Sequence, residues 1–406
     1  MSASIRVLIV HNLLWSHYKA AVFTELHRLA ERRQTVRLLV VQLAKTERSR
    51  LGLGDPSPGE HAYPHVLLHD GPVEEFGLLA RLRTLFGVVR EFRPTVVNLT
   101  GYYDPAQLAL LTYCKLRGIR TVLSNESTAA DHARRGYRER LKRWIVRQFD
   151  GFFCFGTPSV RYLLALGAQP GQILSRRAAV VSDAVLRRAY ESAPGSAPAE
   201  RAQRGFLPRN VVYVGRLSRE KNLLRLVRAF ASARKQAQRG SDWGLLLRGE
   251  GPQRGELQSL VRQLGLSTVG SEAVNPDSPS SDAVQILPGV AWHEVPATLA
   301  LGDVFVLPSQ SEPWGLVVNE AMVCGLPVLV SERCGCAEDL VREGENGFTF
   351  PPDDEARLGQ LLLRLMDAPA STRRAMGDAS RRLVEAFSLP VVAEEMLTGF
   401  ERMAAL

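Results

Sequence analysis

The feature that most constrains this chain is an alternation of two patterns. Short β-branched runs and longer stretches with helical spacing follow one another, and a helical stretch separates most consecutive runs. "IRVLIV" (5–10) reads as a strand and "YKAAVFTELHRLAER" (18–32) as an amphipathic helix. "TVRLLVVQ" follows, then a Gly, Pro and His-rich loop over 50–64 and a helix over 76–92 that ends at Arg93-Pro94. "TVVNLT" (95–100), a helix over 105–117, "RTVLS" (120–124), a basic helix, "GFFCFG" (151–156) and "AAVVSD" (178–183) complete the first series. Strands connected through helices form a parallel sheet covered on both faces.

A second series starts after a Pro, Ala and Ser-rich stretch at 191–204 that reads as a linker. Its strands are "NVVYVG" (210–215), "WGLLLRG" (243–249), "VQILPG" (284–289), "DVFVLPS" (303–309) and "PVLVS" (327–331). Helices are expected at 222–238, 252–264, 293–300 and 315–324, with a polar insertion at 267–283. Two more, about 371–387 and 390–404, are split at Leu389-Pro390. The expectation is an α/β chain of two doubly wound, Rossmann-like parallel-sheet domains facing across a cleft. Residues 1–190 form the first, and residues 205–388 the second.

Composition narrows the class. At 406 residues the chain exceeds one ordinary core, and 45% hydrophobic with 23% charged residues suits a soluble globular protein. No 18-residue uncharged apolar stretch occurs, and "MSASIRVLIVHNLLW" reads as a first strand rather than a signal peptide. Five cysteines without framework spacing point to a reducing cytoplasm, and Cys334-Gly-Cys336 has no second pair to complete a zinc site. Charge is uneven: residues 1–185 carry +11 and the remainder −2. The basic half points toward an anionic surface.

"SEPWGLVVNEAM" (311–322) places Glu312 and Glu320 eight apart around a Pro-Trp-Gly turn. The turn follows the strand at 303–309, so Gly315 lets the backbone approach a ligand where a helix begins. Free N–H groups at Leu316 and Val317 would attract phosphate. The two carboxylates suit the vicinal hydroxyls of a sugar and a ribose, so the ensemble describes a nucleotide-sugar. A turn acid at Glu312 and a helix-surface acid at Glu320 are the bland readings. "YVGRLSREKN" (213–222) adds Gly215 at a strand end, then Arg216 and Lys221 before a helix. Two cations there match a diphosphate, each contact being worth roughly 1.5–3 kcal/mol. An exposed basic loop is the plain alternative.

"VGRLSREKN", "LRGEGP", "PGVAWHEVPATLALGDVFVLPS", "SEPWGLVVNEAMVCGLPVLVSERCG" and "AEDLVREGENGFTF" occur in that order. Together they resemble the donor half of the retaining glycosyltransferases of family 4, which have the GT-B fold. The likeness is close over about 205–387 and architectural over the first half. It implies that Arg216 and Lys221 neutralise the leaving diphosphate and that Glu312 lies near the donor sugar. Glu320 would bind the ribose hydroxyls, the backbone of Pro313, Trp314, Gly315 and Leu316 would face sugar and phosphate, and Val290 would lie near the base. It further implies a last helix, about 390–406, packed back onto the first domain. No Asp-x-Asp metal signature is present, so no metal or other cofactor is expected beyond the nucleotide-sugar itself.

The likeness thins in the first half. The loop "HNLLWSHYK" (11–19) has no glycine where many relatives are glycine-rich, and "SNESTAADH" puts Glu126 where many carry a histidine. Glu126 is a catalytic candidate that could shape the acceptor site or assist the proton transfer, or merely bond its own loop, with Asp131, His132, His11 and Asp104 as lesser candidates. "RRGYRERLKRWIVRQF" (134–149) has seven basic residues, and Leu141, Ile145 and Phe149 form a stripe with Trp144 alongside. Such a helix can lie on an anionic membrane or simply pack on its own sheet.

The function expected is retaining, metal-independent transfer of a sugar to a saccharide or lipid-linked acceptor, in cell-surface polysaccharide or glycolipid synthesis. The place expected is the cytoplasm, at the inner face of the plasma membrane. A nucleotide-sugar epimerase and a non-catalytic nucleotide-sugar binder are the alternatives. A pyridoxal-type phosphorylase lacks its lysine, since none follows Lys235. Nucleic acid is not expected, because the arginines are not interleaved with aromatic platforms.

Overall fold

The computed structural model describes residues 5–14, 17–48, 61–128, 136–178, 180–193, 201, 205–266 and 282–406. The chain divides into two compact units. One comprises Met1–Ser182 with Phe387–Leu406, and the other Asp183–Ala386.

The first unit contains β1 (Ile5–Leu13), β2 (Val36–Ala44), β3 (His65–Leu67), β4 (Val96–Leu99), β5 (Arg120–Asn125), β6 (Gly151–Cys154) and β7 (Ile173–Ser175). Every neighbouring pair is parallel, in the order β3-β2-β1-β4-β5-β6-β7. Its helices are α1 (His17–Arg33), α2 (Leu78–Phe92), α3 (Pro105–Leu116), α4 (Gly136–Val146) and α5 (Gly156–Ala165). Val7 to Val10 are wholly buried, as a central strand covered on both faces requires.

The second unit contains β8 (Arg209–Val214), β9 (Trp243–Arg248), β10 (Val284–Leu287), β11 (Val304–Leu307), β12 (Val328–Ser331) and β13 (Gly347–Phe350). They are parallel in the order β10-β9-β8-β11-β12-β13. Helices α6 (Asp183–Glu191), α7 (Leu223–Gln236), α8 (Arg254–Gln263), α9 (Val295–Leu299), α10 (Leu316–Val323), α11 (Ala337–Leu340), α12 (Glu355–Asp367) and α13 (Ala370–Val384) surround them. The chain then returns to the first unit as α14 (Leu389–Ala404). Phe400 of α14 meets Phe153 edge-on at 5.2 Å, and Glu395 accepts from Ser175 at 2.6 Å and Arg177 at 2.5 Å.

Three details differ from the sequence reading. The last strand of the first sheet is Ile173–Ser175, not 178–183. Val180 and Val181 are buried without joining the ladder, so their β-branched character reports packing. Helix α6 begins at Asp183 and packs on α9 and α10, so residues 183–190 belong to the second unit. Within the stretch read as linker, Arg201 is buried and pairs with Asp303 at 2.5 Å.

Candidate active site

The second sheet reverses its strand order between β8 and β11. Loops leaving the two strands at such a point diverge and make room for a ligand. Gly215, Arg216 and Lys221 come from the β8 loop. Glu312, Pro313, Trp314 and Gly315 come from the β11 loop, and Leu316 and Glu320 from α10 behind it.

The β8 loop is pinned by its own hydrogen bonds. The buried Tyr213 hydroxyl donates to the Arg216 carbonyl at 2.8 Å, and the Gln310 N–H donates to the Glu220 carbonyl at 2.7 Å. The Ser218 hydroxyl donates to the Glu220 carboxylate at 2.5 Å, chiefly accounting for that carboxyl lying below its ordinary range. Asn222, with φ 60°, donates its amide to the carbonyls of Pro308 (3.2 Å) and Pro352 (2.8 Å). Arg216 is left exposed, while Lys221 is mostly buried and forms an ion pair with Glu312. The structure therefore brings the second cation and the first acid into direct contact.

The β11 loop is clamped from the opposite side. The Gly335 N–H donates to the Glu312 carbonyl at 2.9 Å, and the Cys336 N–H donates to the Trp314 carbonyl at 3.2 Å. A β-carbon on Gly335 would strike the Pro313 carbonyl oxygen, so glycine permits this approach. Cys334-Gly-Cys336 is thus a backbone clamp, with both thiols buried and free. Trp314 is buried and donates its indole N–H to Asn319 at 2.9 Å, leaving its backbone as the part available to a ligand.

Gly315, at φ 98°, caps α10 without any side-chain hydrogen bond. As the first residues of α10, Leu316 and Val317 have no acceptor for their N–H groups within the helix itself, and a helix terminus of that kind favours an anion. Glu320 keeps some exposure as a residue, and burial pushes its carboxyl up to about 7. Val290 follows β10, two strands from β8, in a loop where the Gly289 N–H donates to Glu250 at 3.2 Å. Among the described residues no three His, Cys, Asp or Glu side chains converge as a metal cluster would require.

The first unit holds Glu126 at the end of β5, where Lys19 pairs with it at 2.9 Å. Lys19 is buried, with its ammonium 4.3 Å from the centre of the Phe155 ring. The sequence reading missed Lys19 because it sits inside an ordinary helical pattern. Its rarity, as one of six lysines, was the available signal. His11 is buried against Gln42 at 2.9 Å, and burial together with Lys19 pushes it down to about 4, so it is neutral at pH 7. Asp104 caps α3 by accepting from Ala106 at 2.7 Å and pairs with Arg81, which gives it a structural task. Asp131 and His132 lie outside the described residues.

On α4 the expected apolar stripe is split. Ile145 and Phe149 are in the core, whereas Leu141 and Trp144 are 56% and 62% exposed. The helix turns Lys142, Ile145 and Val146 inward, and Leu141 and Trp144 share the outer surface with Arg140, Arg143 and Arg147. No described helix is long and apolar enough to cross a membrane.

Two doubly wound parallel sheets in one chain, each reversing its strand order once, are the architecture of the GT-B fold. Structural likeness agrees: the Anabaena protein Alr3699/HepE, solved in complex with UDP and glucose, has a TM-score of 0.67 at 16% identity, covering 99% of this chain and 100% of that one. The "Glycosyl transferases group 1" family model matches residues 208–368, and the "Glycosyl transferase 4-like domain" model matches residues 20–175. The chain belongs to the group 1 glycosyltransferases.

Curated relatives from Streptomyces kanamyceticus include a 2-deoxystreptamine glucosyltransferase, 28% identical over 268 residues, or 65% of this chain and 63% of that protein. An alpha-D-kanosaminyltransferase from the same organism is 28% identical over 196 residues, or 48% and 46%. The matched stretch thus spans between about half and two thirds of the length of these relatives.

Proposed function

We propose that this chain transfers a glycosyl group from a nucleoside diphosphate-sugar to a hydroxyl of a saccharide or lipid-linked acceptor. Configuration at the anomeric carbon is retained, and no metal ion takes part. The observation that carries this reading is the convergence at the β8/β11 switch point of an exposed Arg216, a Lys221–Glu312 pair and an uncapped helix N-terminus.

In this reading the diphosphate lies against the Leu316 and Val317 N–H groups and draws Lys221 from Glu312. Glu312 is then released to accept from hydroxyls of the donor sugar, and the Glu320 carboxylate accepts from the ribose. The bond from the anomeric carbon to the phosphate oxygen breaks as a bond to the acceptor oxygen forms on the same face. The acceptor proton passes to the departing phosphate, whose charge is held by Arg216, Lys221 and the helix terminus. Glu126, paired with Lys19, orients the acceptor hydroxyl. The HepE complex with UDP and glucose makes a UDP-sugar the first donor to test.

Calorimetric titration with UDP, GDP and ADP, each with and without EDTA, tests the reading. Micromolar binding of one diphosphate, unchanged by EDTA, is the expected result; binding that vanishes with EDTA overturns metal independence, and no binding by any overturns the donor site.

A lipid-linked acceptor accords with the outer surface of α4, where Leu141 and Trp144 stand among arginines. That surface would rest on the anionic inner leaflet, with the arginines near the headgroups. The full chain should cosediment with vesicles containing phosphatidylglycerol, and the double change Leu141→Ser and Trp144→Ser should release it. Equal cosedimentation of the two proteins would remove this helix from the interface.

A further inference from the structure

Helices α7 and α8 begin side by side at the carboxyl edge of the second sheet. Strands β8, β9 and β10 are successive neighbours, so both connections pass over the same face and the two helices pack together. Between their first turns and Gln310 of the β11 loop lies a recess of about 290 Å³. None of Arg216, Lys221, Glu312, Gly315, Leu316 and Glu320 lines it, so it is separate from the residues assigned to the donor.

The walls of the recess are fixed by backbone bonds. The Leu217 N–H donates to the Glu250 carbonyl at 2.8 Å, and the Gln253 N–H donates to the Leu217 carbonyl at 2.9 Å, which ties the β8 loop to the start of α8. On α7 the capping residue is Asn222, whose amide is committed to the carbonyls of Pro308 and Pro352, so no side chain caps the helix. As the first residues of α7, Leu223, Leu224 and Arg225 have no acceptor for their N–H groups within the helix itself. The terminus of a 14-residue helix left in that state favours an anion.

Three arginines stand in the wall. Arg225 is held by the Pro352 carbonyl at 2.5 Å and by Asp353 at 3.5 Å, and Arg228 by Glu355 at 2.8 Å. Arg219 is exposed.

An independent sign of a ligand comes from Gln253, which lines the recess and is only 6% exposed. Its side-chain NH2 group donates to Glu256 at 3.1 Å. A carboxylate only accepts, so the amide cannot be turned round, and Oε1 is the atom left buried without a partner. That oxygen calls for a hydroxyl, whereas the helix terminus and Arg219 call for an anion. A phosphorylated sugar supplies both.

We propose that the recess between α7 and α8 is a second ligand site, which takes a sugar phosphate. The phosphate meets the α7 terminus and Arg219, and a sugar hydroxyl donates to Gln253 Oε1. The site stands independently of the glycosyl-transfer reading, because it uses none of the residues assigned to the donor.

The test is calorimetric titration of the full chain with glucose 6-phosphate, inorganic phosphate and glucose. Glucose 6-phosphate should bind about tenfold more tightly than inorganic phosphate, and glucose more weakly than either. Arg219→Ala should weaken glucose 6-phosphate about tenfold while keeping a thermal midpoint close to that of wild type, because the lost side chain is exposed. Gln253→Leu should bring glucose 6-phosphate down to the affinity of inorganic phosphate, and Arg216→Ala should bind it as wild type does. No binding of glucose 6-phosphate, or equal binding by wild type and Arg219→Ala, overturns the proposal. So does binding that is lost in Arg216→Ala and kept in Arg219→Ala, which would put the phosphate in the donor site. Equal affinity of wild type for glucose 6-phosphate and inorganic phosphate overturns the choice of a sugar phosphate.

Discussion

Lys221→Ala is expected to lower turnover at saturating donor roughly 10- to 100-fold, the worth of one charge-assisted contact to a leaving group. Lys221 and Glu312 are both mostly buried and form an ion pair with each other. Removing the lysine therefore also leaves a carboxylate without its partner, which costs stability as well as rate. The thermal midpoint of Lys221→Ala should fall by several degrees, whereas the double change with Glu312→Gln should recover most of that loss without recovering turnover. A rate that returned with stability would show Lys221 to be a structural partner of Glu312 and nothing more. Steady-state kinetics beside thermal unfolding of the three proteins decides the point.

Donor affinity is expected to fall about tenfold between pH 8 and pH 6, a slope of one proton set by Glu320. Its carboxyl is pushed up to about 7 by burial, and the ionised form accepts from two ribose hydroxyls through both oxygens with charge-assisted bonds. Glu320→Gln should bind more weakly at pH 8 and show a flat profile; a wild-type affinity independent of pH would take Glu320 away from the ribose. The same group works against the fold. A carboxyl raised in the folded state favours folding below about 4.5, and that contribution disappears as pH rises through 7. Glu320→Gln should accordingly be the more stable protein at pH 8, by up to about 3 kcal/mol, and nearly equal to wild type at pH 4. Stability would then be surrendered at one position that ligand binding uses.

Much of this arrangement was legible in the sequence, for physical reasons. Central strands such as Ile5–Leu13 and Val304–Leu307 are buried on both faces, so they appear as continuous apolar runs. Lys221, Glu312 and Gly315 were conspicuous because a strand end, a turn and a helix start surround them. The edge strands were harder. Ile173–Ser175 and His65–Leu67 have three residues each, too few to show a period, and Gly347–Phe350 hides behind a glycine turn. The Lys19–Glu126 pair joins residues 107 positions apart, and nothing in either local segment announces the other. The outward turn of Leu141 was equally hidden, because helical spacing gives a stripe its members but not its rotation about the axis.

The return of the chain as α14 bears on how the protein is made. In the first unit α14 packs on α1 and β7, with Phe400 against Phe153, yet α14 follows the whole of Asp183–Ala386. At about 5–20 residues per second, translation of that interval takes roughly 10–40 s. Phe153 and its neighbours, facing where α14 will sit, stay uncovered for that time while the second unit can already close. The half synthesised first is thus the half completed last, and its exposed edge is where chaperone contact and misassembly during synthesis should concentrate.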